Sequence, residues 1–142
     1  LFALTGDARY RDAAEASMKL VGQLAAQQPI SFGTSLTLMS ELGAPLRQLV
    51  VVTGNDDGDA SDVSAQAGGG ISGLARKLHR AGGIGVVVTQ AHAEAFAASG
   101  FDLFAGRTAT NGAPTAYLCE EFVCRLSLTD VAALSILLQG VN

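Results

Sequence analysis

Two short runs, "LVVVTG" at 49–54 and "IGVVVT" at 84–89, constrain the fold of this chain more than any other feature. Each is continuous and rich in β-branched residues, the pattern of a strand covered on both faces rather than one alternating between core and water. Between them lies "ISGLARKLHR", a helical stretch with Ser72 placed as its N-cap and Leu74 and Leu78 on its inward face. The interval from Gly54 to Ile84 is long enough for a crossover, which predicts strand, helix, parallel strand. Downstream, "AHAEAFAAS" reads as a short helix ended by Gly100, and "PTAYLC" and "FVCRLSL" have strand character. Thr129 or Asp130 is placed to cap a last helix, "VAALSILLQ". Together these predict an α/β fold with a small, mainly parallel sheet of three to four strands flanked by helices. Its strands are Leu49–Thr53, Ile84–Thr89 and Thr115–Cys119, and 122–128 is expected as an antiparallel edge.

Ahead of the first strand the periodicity is helical. Gly6 and Asp7 stand as terminator of one helix and N-cap of the next. Tyr10, Ala14, Met18, Val21 and Ala25 then follow at spacings of three and four, and Pro29 requires the helix to have stopped. Phe32, Leu36, Met39 and Leu42 form a second stripe, ended by Gly43 and Pro45. The chain therefore divides into a helical hairpin over 1–46 and an α/β module over 47–142.

Composition narrows the classes of function. Of 142 residues, 49% are hydrophobic and 15% charged, enough apolar material for one core. A net charge of -4 and few aromatic residues are not the footprint of a nucleic-acid binder. The one basic cluster, Arg76, Lys77, His79 and Arg80, reads as the wet face of a helix. No apolar run approaches the roughly 20 residues that span a bilayer, so no membrane partner is expected. Two cysteines are too few for a disulfide-stapled scaffold, which makes a reducing cytoplasm the expected location. The opening "LFALTGDARY" has neither an initiating Met nor a signal peptide's charged start, and it reads as the end of an interrupted helix. A segment of a longer protein is expected.

Four motifs invite a chemical reading. "GGGISG" matches G-x-G-x-x-G through Gly68, Gly70 and Gly73. A dinucleotide fingerprint needs those glycines directly after the first strand, and here 13 residues separate Gly54 from Gly68. What remains is a possible anion site at the start of the helix, at Gly70, Ser72 and Gly73, for a small anion or nucleotide. "NDDGDASD" gathers Asp56, Asp57, Asp59 and Asp62, but Ala60 and Gln66 stand where a calcium loop needs Gly and Glu. His79 and His92 lie in no zinc-protease or nucleophile-elbow pattern and read as helix-surface residues.

The fourth motif, "YLCEEFVC", holds both cysteines. C-x4-C is neither the C-x-x-C of a redox turn nor half of a four-cysteine zinc site. If "EEFV" is a hairpin loop, Cys119 and Cys124 face each other across an antiparallel pair. Their Cβ atoms would then lie about 4.5–5.5 Å apart, so closing a disulfide would take local adjustment. If "EE" is a two-residue turn, Cys119 pairs with Phe122 and the thiols are offset. Structural thiols, a reversible disulfide and a metal site all remain open.

"AGRTATNGAPTAYLCEEFVCRLSLTD" is similar to the C-terminal ending of the spermatogenesis-associated thioredoxin-domain proteins. Gly106, Arg107, Gly112, Ala116, Tyr117, Cys119, Phe122, Cys124, Thr129 and Asp130 stand at matching places. "TGDARYRDAAEA" resembles a signature in the helices of that family's α/α toroid. Leu126, Ser127 and Val131 stand where the family commonly has prolines. The resemblance implies a thioredoxin-like domain fused to a toroid like that of N-acylglucosamine 2-epimerases and six-hairpin glycosidases. This chain would then be the last toroid helices plus an α/β tail, with the rest of the parent chain as its partner. The expected function is a non-catalytic structural or interaction module needing no cofactor. The alternatives are a thiol redox or metal-binding module at Cys119 and Cys124, and small-anion binding at the glycine-rich helix start.

Overall fold

A computed structural model describes residues 1–54, 70–80, 83–125 and 127–139. The element order is α1 (Phe2–Thr5), α2 (Ala8–Gln27), α3 (Gly33–Gly43), β1 (Arg47–Thr53), α4 (Ile71–Arg80), β2 (Ile84–Thr89) and α5 (Gln90–Ala98). A 3-10 turn (Asp102–Phe104), β3 (Thr115–Glu120), β4 (Val123–Cys124) and α6 (Val131–Gln139) complete it. The fold is α/β with an N-terminal helical hairpin, as the periodicity predicts. Gly6 ends α1 in the left-handed conformation, φ 72°, and the Asp7 carboxylate accepts from the Arg9 amide to cap α2. Of the two candidate caps for the last helix, Asp130 is the one used: its Oδ1 accepts from the Ala132 amide at 2.9 Å.

The sheet runs β2-β1-β3-β4. Leu49, Val50, Val51 and Val52 of β1 are fully buried because helices cover both of its faces. On one face Leu49, Val51, Ala116 and Leu118 pack with Ile71, Leu74, Ala75 and Leu78 of α4 and Leu134 of α6. On the other, Val50 and Val52 pack with Ala93 of α5 and with Leu103 and Phe104. Each fully buried Leu or Val contributes about 1.5–3 kcal/mol relative to exposure. α4 lies so close to β2 that a Cβ at Gly85 would overlap the Ala75 carbonyl, so the position requires glycine.

Three expectations are corrected. β1 and β2 are parallel, but β3 is antiparallel to β1, so the sheet holds a single parallel pair. After α5 the segment 101–114 buries Leu103 and Phe104 and carries the chain back to the end at which β1 and β2 finish. β3 therefore enters beside Val52 and runs the other way. β2 is an edge strand of half-buried residues, because it has a partner on one side only. The strand expected over 122–128 is reduced to Val123–Cys124 plus a bridge from Leu128 to Ala116.

α2 and α3 pack on each other as the predicted hairpin, but burial there is slight. Ala25 is the one buried residue of the two helices. Leu20 is 83% exposed, Leu24 49%, and Ile30 in the connection 99%.

Candidate functional site

The cysteines sit one rung from a two-residue turn. Glu121 and Phe122 both have positive φ, 48° and 65°, the requirement of a type I′ hairpin turn. Glu120 pairs with Val123, and the next rung sets Cys119 opposite Cys124. Their Cα atoms are 3.8 Å apart and the sulfurs are joined in a disulfide. The facing arrangement agrees with the longer-loop alternative, but the turn itself is Glu121–Phe122, tighter than the four residues that reading needs.

Asn-Gly would be the favoured occupant of such a turn, since side chains other than Gly and Asn resist the left-handed region by about 1–2 kcal/mol each. Tertiary contacts hold Glu121 and Phe122 there. The Glu121 amide donates to the Leu46 carbonyl at 2.9 Å, and the Leu46 amide donates to Glu121 Oε1 at 2.8 Å. Phe122 donates its amide to Oε1 of the buried Gln48 at 3.1 Å, and Gln48 Nε2 donates to the Ala3 carbonyl at 2.8 Å. The Phe122 ring meets Phe2 edge-on, with centroids 5.6 Å apart.

The two sulfurs are not equivalent. Cys119 is 2% exposed, whereas Cys124, on the short edge strand, is half-buried. Beside them lies Arg107. Gly106, with φ 68°, turns the chain after the 3-10 segment, and the Arg107 guanidinium then stacks over the Tyr117 ring at 5.3 Å. Tyr117 and Cys119 share a sheet face because they are two residues apart on β3. Arg107 Nη2 reaches Cys124 Sγ at 2.8 Å and Cys119 Sγ at 3.9 Å. Arg107 Nε is enclosed and has no hydrogen-bond partner. The Tyr117 hydroxyl donates to the Thr108 carbonyl at 2.8 Å and accepts from the Thr108 amide at 3.1 Å, which fixes the segment carrying Arg107. A guanidinium against a sulfur stabilises the thiolate, the form that exchanges disulfides.

Gly70, Ser72 and Gly73 lie at the first turn of α4, away from the cysteines along the chain. The helix begins at Ile71, so Ser72 is inside it rather than at its cap. The Gly73 amide is already spent on the Gly70 carbonyl at 2.9 Å. Gly68 and the four aspartates 56, 57, 59 and 62 lie outside the described residues. His92 joins the Thr89 hydroxyl at the start of α5, at 3.1 Å, and lies on the exposed surface. Among the described residues no three His, Cys, Asp or Glu side chains gather as a metal-binding group. None of their helices is long and apolar enough to cross a membrane.

Sequence reasoning assigned no role to Arg107 or Gln48. Arg107 lies 12 and 17 residues before the two cysteines and Gln48 over 70 residues before Phe122. The signal for Arg107 was its place, with Gly106, in the tail motif that also holds both cysteines. No protein-family model, curated protein or solved structure matches this chain.

Proposed function

We propose that the chain acts as a thiol–disulfide module in which Cys124 exchanges and Cys119 resolves. The observation that supports this reading is the unequal setting of the two sulfurs. The accessible one has a guanidinium at 2.8 Å, and the other is buried. In the exchange, a thiolate of a partner dithiol attacks Cys124 Sγ, the bond to Cys119 breaks, and Cys119 leaves with the electron pair and takes a proton. The partner's second thiolate then attacks its own sulfur in the mixed disulfide and expels Cys124 as a thiolate beside Arg107. Two electrons pass from the partner dithiol to the cysteine pair. In a reducing cytoplasm, the location expected from the cysteine content, the pair would rest as the dithiol.

With Cys119→Ser, the Cys124 thiolate should attack added oxidised glutathione and expel one glutathione thiolate, and the mixed disulfide should accumulate on Cys124 because no Cys119 thiol remains to displace it. In the reduced wild type, iodoacetamide should label Cys124 at least about tenfold faster than Cys119, as accessibility and thiolate character require. Preferential labelling of Cys119, or no exchange with dithiothreitol short of unfolding, would sink the reading.

The structural or interaction module of a thioredoxin-domain protein is a second reading, supported by the open apolar side of α2–α3 at Leu20, Leu24 and Ile30. Isolated chains should then self-associate through that side, and Leu20→Ser with Leu24→Ser should suppress it in sedimentation experiments. A wild type that stays monomeric at high concentration removes that support.

A further inference from the structure

We infer that Arg107 poises the cysteine pair toward its dithiol form, so that the chain is an oxidant handing its disulfide to dithiol partners. The inference rests on the thiol–disulfide reading above and adds its direction and the class of its substrate. In the disulfide form the guanidinium is poorly satisfied. Its Nε is enclosed without an acceptor, and the acceptor that Nη2 reaches at 2.8 Å is a neutral sulfur. Disulfide sulfur is a weak acceptor, so within this half-buried side chain the desolvation of the enclosed Nε and of Nη2 on sulfur is poorly compensated.

Reduction breaks the S–S bond and lets the two sulfurs part. A Cys124 thiolate that stays within reach of Nη2 would give it a charge-assisted partner, the stronger class of hydrogen bond. Cys119, at 3.9 Å from the same nitrogen and buried, takes a proton instead. In the oxidised form the guanidinium lies on the Tyr117 ring, and the Tyr117 hydroxyl ties the segment carrying it at Thr108. A group that stabilises the reduced form over the oxidised one makes the disulfide a stronger oxidant. The net reaction takes two electrons from the partner dithiol. Of its two protons, one stays on Cys119 and one goes to solvent while Cys124 remains a thiolate.

Were Arg107 only a brace for the hairpin, its loss would weaken both redox forms alike and leave their ratio unchanged. Equilibration of wild type, Arg107→Met and Arg107→Lys with reduced and oxidised glutathione, read by alkylation and mass, separates the two roles. Millimolar glutathione should reduce the wild-type pair. In Arg107→Met the equilibrium constant for reduction should fall about tenfold, or about 30 mV for this two-electron couple. Arg107→Lys should recover part of the loss. An Arg107→Met constant equal to wild type, in a pair that does exchange with dithiothreitol, overturns this inference and leaves the exchange reading standing. A wild-type pair that exchanges but stays oxidised in excess glutathione also overturns it, so the outcome does not depend on the variant folding. A pair that exchanges with no thiol removes both.

Discussion

The chain contains two hairpins built on opposite terms. In α2–α3 each helix follows its own apolar period, is punctuated by Pro29, Gly43 and Pro45, and buries almost nothing beyond Ala25. In β3–β4 the turn residues are unsuited to the conformation they adopt, yet contacts from α1, β1 and the 101–114 segment surround it. Local sequence suffices for the first, whereas the second exists because distant groups meet at Glu121 and Phe122. The chemistry sits in the second, where tertiary contacts can hold a sulfur, a guanidinium and an aromatic ring in register.

The contrast in burial should be the easiest to expose. Leu49→Ala, in the fully buried strand, should cost about 3 kcal/mol by urea denaturation. Leu20→Ala on α2 should stay within about 0.5 kcal/mol, since that side chain already faces water. Comparable losses at both sites would mean that the α2–α3 surface is covered in solution.

A smaller effect tests the claim that distant groups hold the β-turn. Gln48→Leu removes the acceptor of the Phe122 amide and the donor to the Ala3 carbonyl together. Stability should fall by about 2 kcal/mol, and hydrogen exchange should speed up at Phe122 and along α1 before it changes at the centre of β1. Unchanged protection at Phe122 would show that the turn stands by itself.

The smallest effect concerns the local hairpin. The Asp7 carboxyl is held below its ordinary value, chiefly by the hydrogen bond from the Arg9 side chain and then by the Arg9 amide. A lowered folded value means the stabilisation is complete above the ordinary carboxylate range, near 3.8, and is lost as pH falls through the lower folded value. Acid titration should therefore fray the start of α2, seen as lost helical circular dichroism, and Asp7→Asn should remove that pH dependence. A titration identical in the two proteins would dismiss the cap.

Much of the fold was legible because it is written in periods and punctuation. The β-branched runs at 49–54 and 84–89 located both strands of the parallel pair, and the Gly6–Asp7 junction located a helix boundary to the residue. Strand direction was not legible at "PTAYLC", because a period of two is the same whichever way the chain runs. Its direction was set by where Leu103 and Phe104 found apolar cover. Nor was the outer edge strand legible as short, since "FVCRLSL" carries strand-forming residues well beyond Cys124.

By itself the sequence determined the α/β class, the helical hairpin and the closeness of the two cysteines along the chain. Those depend on neighbours a few residues apart, and local propensity is encoded locally. Only the tertiary structure decided that the turn falls at Glu121–Phe122, that Cys119 is buried while Cys124 is not, and that Arg107 stands over the sulfur. A left-handed turn without glycine, or a guanidinium with an unpartnered Nε, is unfavourable alone and persists only where the rest of the fold encloses it.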